Sequence, residues 1–533
     1  MKKTLGSYLI ELLEAQGVQH VFGIPGVHNL ELYRGLASSR IRHVTGRHEQ
    51  GLGFMADGYA RVSGRPGVCF TITGPGLSNI ATALGQAYAD SIPLFVIASE
   101  NRSGEIGTGR GFLHEMPEQL GLASRVTAQS RRLVRPEDLA DCISHAFAHM
   151  QSGRPRPSYL EIPRDLMTAD ASAWPAPGPS RRPERPKAAV AVLEEAARAL
   201  RGSNSPVILA GGGALGAARE LRALAEQLSA PVVMTINARG LLPPDHPLAV
   251  PMSPSLKAVR SLIAAADVCF AVGTELGPTD YDMYGVSDFP QPRYLIRLDI
   301  DAEQLNRNAR AHLALHADAA AALKALLTMD LGTHGAQVGH AGANEARRGA
   351  LAELSPALRT QIGFLDEIRA ALPTAVLVGD STQPVYAGNL GFAAAEPGSW
   401  FNSATGFGTL GYALPAATGA WLAAPDQPVV CLVGDGGIQF TLGELAVPRD
   451  VGAWMAIVIW NNRGYGEIKS SMLAVDIDPV GVDVRPPDFR QIAGAYGYPY
   501  QVIESTEALR NALKEFASRR QVVVLEVRGE KFE

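Results

Sequence analysis

Asp435 and Asn462 are the residues whose placement first points to chemistry. Gly434-Asp435-Gly436-Gly437 closes the apolar run Val429 to Val433, and Asn461-Asn462 closes a second apolar run, Ala453 to Trp460. Between them lies a helix-like stretch with Leu442, Leu445 and Ala446 on one side. Strand, glycine turn, helix and strand make a βαβ crossover, whose ligands gather outside the carboxyl ends of the strands. Asp435 and Asn462 would then offer hard oxygens at one edge of a sheet. That suits Mg²⁺, which fills its other positions with phosphate oxygens and water. Gly436 and Gly437 open a helix and leave backbone N–H groups free to face a phosphate. The residues describe a metal-held diphosphate; the plainer alternative is a chance glycine-rich turn in an ordinary α/β domain.

The spacing GDG, residues 437 to 460, then NN resembles the thiamine-diphosphate motif of the acetolactate synthase and pyruvate decarboxylase superfamily. The resemblance implies that Asp435, Asn462 and the backbone carbonyl of Gly464 hold the metal. It extends through FGIPG (Phe22 to Gly26), RHEQGLGFMADGYARVSGRPGV (Arg47 to Val68) and TGPGLSNIATALGQAYADSIPL (Thr73 to Leu94). Pro25, Glu49 and Asn79 lie in these segments. Thiamine diphosphate must lose a proton from its thiazolium carbon, and its aminopyrimidine does this once a carboxyl group bonds the opposite ring nitrogen. The resemblance gives Glu49 that catalytic role, and Pro25 and Asn79 cofactor contacts. Glu49 opens a helix beside apolar Leu52 and Phe54, a setting that favours sharing a proton. Without the motif, an N-terminal helix glutamate stabilised by the helix dipole would be the simpler reading.

In NSATGFGTLGYALPAATGA (Asn402 to Ala420) the family props its cofactor into a V over a bulky apolar side chain. That position here is Leu410, with backbone contacts from Gly408 and Leu410. Thr382 and Gln383, in GDSTQPVYAG after the strand Ala375 to Val378, stand like the family's diphosphate contacts.

The elements that must position these residues read as three doubly wound, parallel-sheet α/β domains: 1–170 for the pyrimidine, 188–330 between, and 355–533 for the diphosphate. A Pro/Arg-rich join, Ala171 to Lys187, and a polar Gly-rich one, Met329 to Ala350, would separate them. The family pairs one chain's first domain with another's third, so a homodimer is the minimum unit and a homotetramer is expected. The central stretch Gly211 to Gly216 fits the G-x-G-x-x-G dinucleotide fingerprint. However, the next strand ends at Asn237 with no acid, and GTELGPTDYDMYG departs from the flavin-binding pattern, so neither FAD nor NAD is expected.

The 533 residues carry 46% hydrophobic and 19% charged side chains and a net charge of −5. That balance fits a globular protein and gives no basis for a nucleic-acid partner. The four cysteines are scattered, with no zinc or disulfide pattern. The N-terminus carries Glu11 and Glu14 inside its apolar stretch, which reads as an amphipathic helix. No apolar run reaches membrane-spanning length, so no membrane partner and a cytoplasmic location are expected.

Three features bear on the substrate. Glu467 stands where the family places a substrate-facing side chain, usually apolar. His114, in LHEMPEQ (Leu113 to Gln119), stands where acetolactate synthases read FQE and pyruvate decarboxylases carry a histidine pair; it could donate a proton or orient a carboxylate. Glu275, Asp280 and Asp282 follow a strand of the central domain. An acidic Glu467 would attract a cationic tail, and a guanidinium matches a carboxylate fork. The chain resembles decarboxylases of such substrates, and the resemblance implies non-oxidative decarboxylation of a small 2-oxo acid with a guanidinium tail, 5-guanidino-2-oxopentanoate, with Glu467, His114 and Asp282 facing it. The alternatives are a Glu467 paired internally with Lys469 or Arg463, a ligase joining two 2-oxo acids, and a synthase acting on arginine.

Overall fold

A computed structural model describes residues 3–178, 183–281 and 288–532. Among the described residues are three six-stranded sheets, every strand parallel to its neighbours. The first holds β1 (His20–Gly23), β2 (Arg42–Thr45), β3 (Gly67–Thr71), β4 (Leu94–Glu100), β5 (Gln129–Arg132) and β6 (Ser158–Pro163), in the order 2-1-3-4-6-5. The second holds β7 (Pro206–Ala210), β8 (Val232–Met234), β9 (Ala249–Val250), β10 (Val268–Val272), β11 (Leu295–Asp299) and β12 (Leu313–His316), in the order 12-11-10-7-8-9. The third holds β13 (Val376–Gly379), β14 (Trp400–Asn402), β15 (Val429–Gly434), β16 (Ala456–Asn461), β17 (Tyr500–Ile503) and β18 (Val523–Arg528). Its order, 14-13-15-16-18-17, repeats that of the first. Helices cover both faces, which is why the central strands β3, β4, β10 and β15 are apolar along nearly their whole length. In both outer sheets the strand order reverses at the gap beside the first strand, between β1 and β3 and between β13 and β15. Ligand sites of open α/β sheets lie outside the carboxyl ends of such a pair.

The first and third sheets are joined by two helices packed face to face, Glu49–Ser63 and Ala413–Ala423. Phe54, Met55 and Tyr59 share one apolar core with Tyr412, Ala416 and Ala420. The helices approach so closely that a Cβ on Gly58 would overlap the Ala416 carbonyl, and one on Gly419 the Met55 carbonyl. Beside this seam the buried Arg61 guanidinium bridges Asp57 (2.7 Å) and Asp90 (2.6 Å). Tyr412 donates its hydroxyl to Asp57, and Thr405 donates to Asp90 at 2.8 Å. Each buried charge thus meets an opposite charge or a donor, which its burial requires.

Two segments differ from the expectation. Much of the stretch read as a polar join, 329 to 350, belongs to a long helix, Ala336–Glu353. Its buried Ala343, Ala346 and Ala350 form a small-residue stripe. Gly349 comes close to Ala258 on the helix Lys257–Ala265. Alanine and glycine here serve close packing rather than chain freedom. After Gly437 the chain makes 3₁₀ turns to Leu445, broken at Thr441, before the short helix Ala446–Val451. Thr441 donates its hydroxyl to the Gly411 carbonyl at 2.7 Å, which holds this segment on the neighbouring loop. All four cysteines are free and buried.

Because overpacking a close seam costs about 1–3 kcal/mol, Gly419→Ala should lower the thermal unfolding midpoint, while alanine at open Gly363 should not. Equal midpoints for the two variants, read by calorimetry, would contradict the tight crossing.

Candidate active site

β15 ends at Gly434 and β16 at Asn461, so Asp435 and Asn462 emerge side by side. The orientation of the Asn462 amide is set from behind. Trp460 is wedged against Phe364 and Phe532, and its indole N–H, a donor only, donates to Gln383 Oε1 at 3.0 Å. That oxygen also accepts from Asn462 Nδ2 at 3.1 Å. The Asn462 side-chain oxygen is therefore turned forward, 2.8 Å from the Gly464 carbonyl and 3.1 Å from Asp435 Oδ1. Three oxygens facing one another repel unless a cation lies among them. Rotating the amide would relieve this contact but would set its oxygen against Gln383 Oε1. Asp435 Oδ2 is buried with no described donor. Burial pushes the Asp435 carboxyl up to about 6, with backbone N–H groups of Asn462 and Gly464 pulling the other way. The donor set fits a hard divalent cation. Among the described residues no three His, Cys, Asp or Glu side chains cluster as an alternative site.

These residues line one cleft of about 200 Å³. Thr382, Gln383, Gly408 and Leu410 enter it from one side, and Gly436, Gly437, Gly464 and Glu467 from the other. Thr382 sits just before the helix Gln383–Gly391 and leaves its hydroxyl unused in capping. The N–H groups of that helix and of the Gly436-Gly437 turn form a cradle suited to an anion. Gln383, expected as a direct diphosphate contact, instead spends its oxygen on Trp460 and Asn462. Asp380, buried and pushed up to about 6 by desolvation, accepts from Ser381 N (2.8 Å) and Ala413 N (3.3 Å). It ties the Leu410 loop to the end of β13.

Pro25, Glu49, Asn79 and His114 gather elsewhere, at the carboxyl edge of the first sheet, and none of them lines the Asp435 cleft. Glu49 is the first residue of its helix and is 8% exposed, and it accepts from Asn79 Nδ2 at 2.9 Å. One chain therefore presents two separate half-sites. Glu467 is exposed in the first turn of the helix Gly466–Ala474 and pairs with no described side chain. Lys469, its candidate internal partner, is bound to Asp483 at 2.7 Å.

The acidic loop of the central domain does not join Glu467. Glu275 pairs with Arg154 at 2.7 Å, and Asp280 lines a cavity of about 290 Å³ where the three domains meet, beside the Gly211 loop and Asp299. Burial pushes Asp280 up to about 7. Asp282 lies outside the described residues.

Two buried groups escape sequence reading. Glu444 accepts from the N–H of Arg47 (3.0 Å) and of His48 (2.9 Å), so the third domain grips the turn that carries Glu49. Burial raises Glu444 to about 7. His28, three residues after Pro25, sits beside His114. Neither has a fixed-offset partner in the sequence.

The folded protein holds the Asp435 proton more tightly than the ordinary carboxylate near 3.9. The metal-free protein thus loses stability through this group as pH rises from about 4 to about 6. Asp435→Asn should raise its thermal midpoint at pH 7.5 but not at pH 4, and should abolish stabilisation by added Mg²⁺. A variant less stable than wild type at pH 7.5, or still stabilised by Mg²⁺, would contradict the cation site.

Comparison with known proteins agrees with this geometry. Three family models match: thiamine pyrophosphate enzyme, N-terminal TPP binding domain, over residues 3–122; its central domain over 193–326; and its C-terminal TPP binding domain over 380–527. The chain is 45% identical over 530 residues to a probable 2-ketoarginine decarboxylase, AruI, of Pseudomonas aeruginosa, covering 98% of this chain and 94% of that protein. It is 30% identical to the acetolactate synthase isozyme 1 large subunit of Escherichia coli, covering 98% and 94%. It is also 30% identical to a probable acetolactate synthase large subunit of Methanocaldococcus jannaschii, covering 97% and 90%. With these matches spanning all three sheets, and with the cation-ready oxygens and the Glu49 carboxyl at two strand edges, the chain belongs to the thiamine pyrophosphate enzyme family.

Proposed function

We propose that the protein is a Mg²⁺- and thiamine-diphosphate-dependent decarboxylase that converts 5-guanidino-2-oxopentanoate to its aldehyde. The observation that carries the substrate is Glu467, a carboxylate in the Asp435 cleft that no described cation neutralises. A relative sharing 45% of its residues is named for 2-ketoarginine, the same compound.

Asp435, Asn462 and the Gly464 carbonyl hold the metal, and the Thr382 and Gly436-Gly437 edges hold the diphosphate. Gln383 orients Asn462 from behind. Leu410 props the cofactor, with backbone contacts from Gly408. The bound cofactor supplies the nucleophilic carbon and takes up the electron pair that CO₂ leaves. Glu49, steadied by Asn79, shares a proton with the aminopyrimidine nitrogen, and Pro25 lines the same edge. His114 delivers the proton that completes the aldehyde. Glu467 binds the guanidinium through charge-assisted hydrogen bonds. The separation of the two half-sites within one chain favours a homodimer at least, each chain's first domain meeting its partner's third. Domains of 1–170, 188–330 and 355–533 and a cytoplasmic setting belong to the same reading. The carboxylates around the Gly211 loop disfavour a phosphate-bearing flavin there.

Release of CO₂ from a series of 2-oxo acids tests the assignment. Glu49→Gln should cut turnover by about 10²–10⁴-fold while Mg²⁺ stabilisation survives. Glu467→Gln should weaken the guanidino substrate by about 10–100-fold, from the loss of a charged hydrogen bond. It should leave pyruvate little changed; equal loss on both substrates would remove Glu467 from tail recognition.

A further inference from the structure

The loops that leave β1, β3 and β4 are neighbours, and they meet at the reversal point of the first sheet. Each brings one polar side chain to it: His28, Thr73 and His114. His28 is 3% exposed, and its Nδ1 lies 3.0 Å from Thr73 Oγ1. The Thr73 hydroxyl donates to Ser99 Oγ at 3.1 Å, so toward His28 it offers a lone pair. Nδ1 therefore carries the hydrogen, and Nε2 is left as a lone-pair nitrogen. That Nε2 is buried, and no described residue donates to it. The ring beside it is His114, edge to face, with centroids 5.1 Å apart and planes at 84°. His114 is half-buried and is held in the left-handed region, at φ 61°. Its carbonyl packs where a Cβ on Gly74 would be, so the backbone is built to keep this ring in place.

We propose that His28 and His114 form one proton-carrying pair, with His28 as a positioning residue that acts through His114. This rests on the decarboxylase reading, in which His114 faces the reacting carbon. Two imidazoles this close do not both carry charge, so they hold a single proton between them and titrate as a unit. The groups facing His28 are His114, Arg164 and Glu105, the last two paired with each other at 3.3 Å. Burial, Arg164 and His114 lower the proton affinity of His28, and Glu105 opposes them. His28 thus rests neutral; the two rings share no hydrogen bond as they stand, and its open Nε2 is the acceptor to which a charged His114 turns its N–H. The bound cofactor would hold the electron pair that CO₂ leaves and return it to the former keto carbon. A C–H bond forms from that pair with the His114 proton. The N–H bond breaks, its electrons stay on the ring, and the pair becomes neutral. Solvent restores the proton through the half-buried His114.

The test is a pH titration of the full-length, cofactor-free protein with ring-¹³C histidine, comparing wild type with His28→Phe, which fills the same space without Nε2. Wild type should show two coupled steps. The variant should show one His114 step, lower by about one pH unit, a tenfold loss of proton affinity. Unchanged His114 titration would overturn the pair. A kinetic arm separates proton delivery from folding. Ferricyanide removes the electrons left by CO₂ and makes the proton unnecessary. In His28→Phe, aldehyde release at pH 7.5 should fall about tenfold while ferricyanide-coupled CO₂ release persists. If both fall together, His28 is only structural and the proposal fails. Coupled titration in a protein that releases CO₂ from no 2-oxo acid would support the pair and overturn the assigned reaction instead.

Discussion

The indole N–H of Trp460 can only donate, and the cation-ready end of the molecule depends on that restriction. Its bond to Gln383 fixes which way that amide faces. Gln383 in turn fixes Asn462, and Asn462 points an oxygen at two others. Free side chains would not hold such a cluster of repelling oxygens. Here the rings of Phe364 and Phe532 clamp Trp460, so the repulsion is stored in a rigid wall. Bringing in a divalent cation relieves it without rearrangement, which is how a preorganised site gains affinity. Burial separately raises the affinity of Asp435 for its proton.

The other half-site depends on a different kind of wall. Glu49 begins a helix whose far end is locked against Ala413–Ala423 and whose near end is gripped by Glu444. Glu49 is thus part of a seam between the first and third sheets. The segment from Gly437 to Leu445 runs from the glycine turn beside Asp435 to that grip, so the Asp435 and Glu49 regions of a chain share one piece of backbone. Glu444 and Asp380 take no place in the chemistry proposed for the site. They hold backbone, and their burial follows from that task.

Legibility in the sequence divided along physical lines. Asp435, Asn462 and Glu49 were readable because each stands at a strand end or helix start, at an offset set by the βαβ unit or by a family motif. Parallel strands were readable because burial on both faces demands unbroken apolar runs. The helix Ala336–Glu353 was not: its buried face is alanine and glycine, and small residues look alike whether they pack closely or link loosely. Gln383 was legible as lining the cleft but not as the holder of Asn462, because the direction of an amide is decided by Trp460, far away in the chain. His28 escaped because its meaning lies in three loops that are consecutive in space but scattered in sequence. The Glu275 and Asp280 loop is a different case: its acidity is plain in the sequence, but the pairing of Glu275 with Arg154 and the cavity beside Asp280 depend on how the domains meet.

The close crossing of Glu49–Ser63 with Ala413–Ala423 also affects how the chain is made. The helix Glu49–Ser63 emerges early in synthesis, but the helix that covers it follows some 350 residues later. At roughly 5–20 residues per second, the small, apolar face around Gly58 stays bare for about 20–70 seconds on every ribosome. Throughout that interval an incomplete chain displays a surface shaped for another helix, so nascent copies on one messenger are the most readily available wrong partners. The glycines that permit the tight final fit leave that surface smooth and unguarded while it waits.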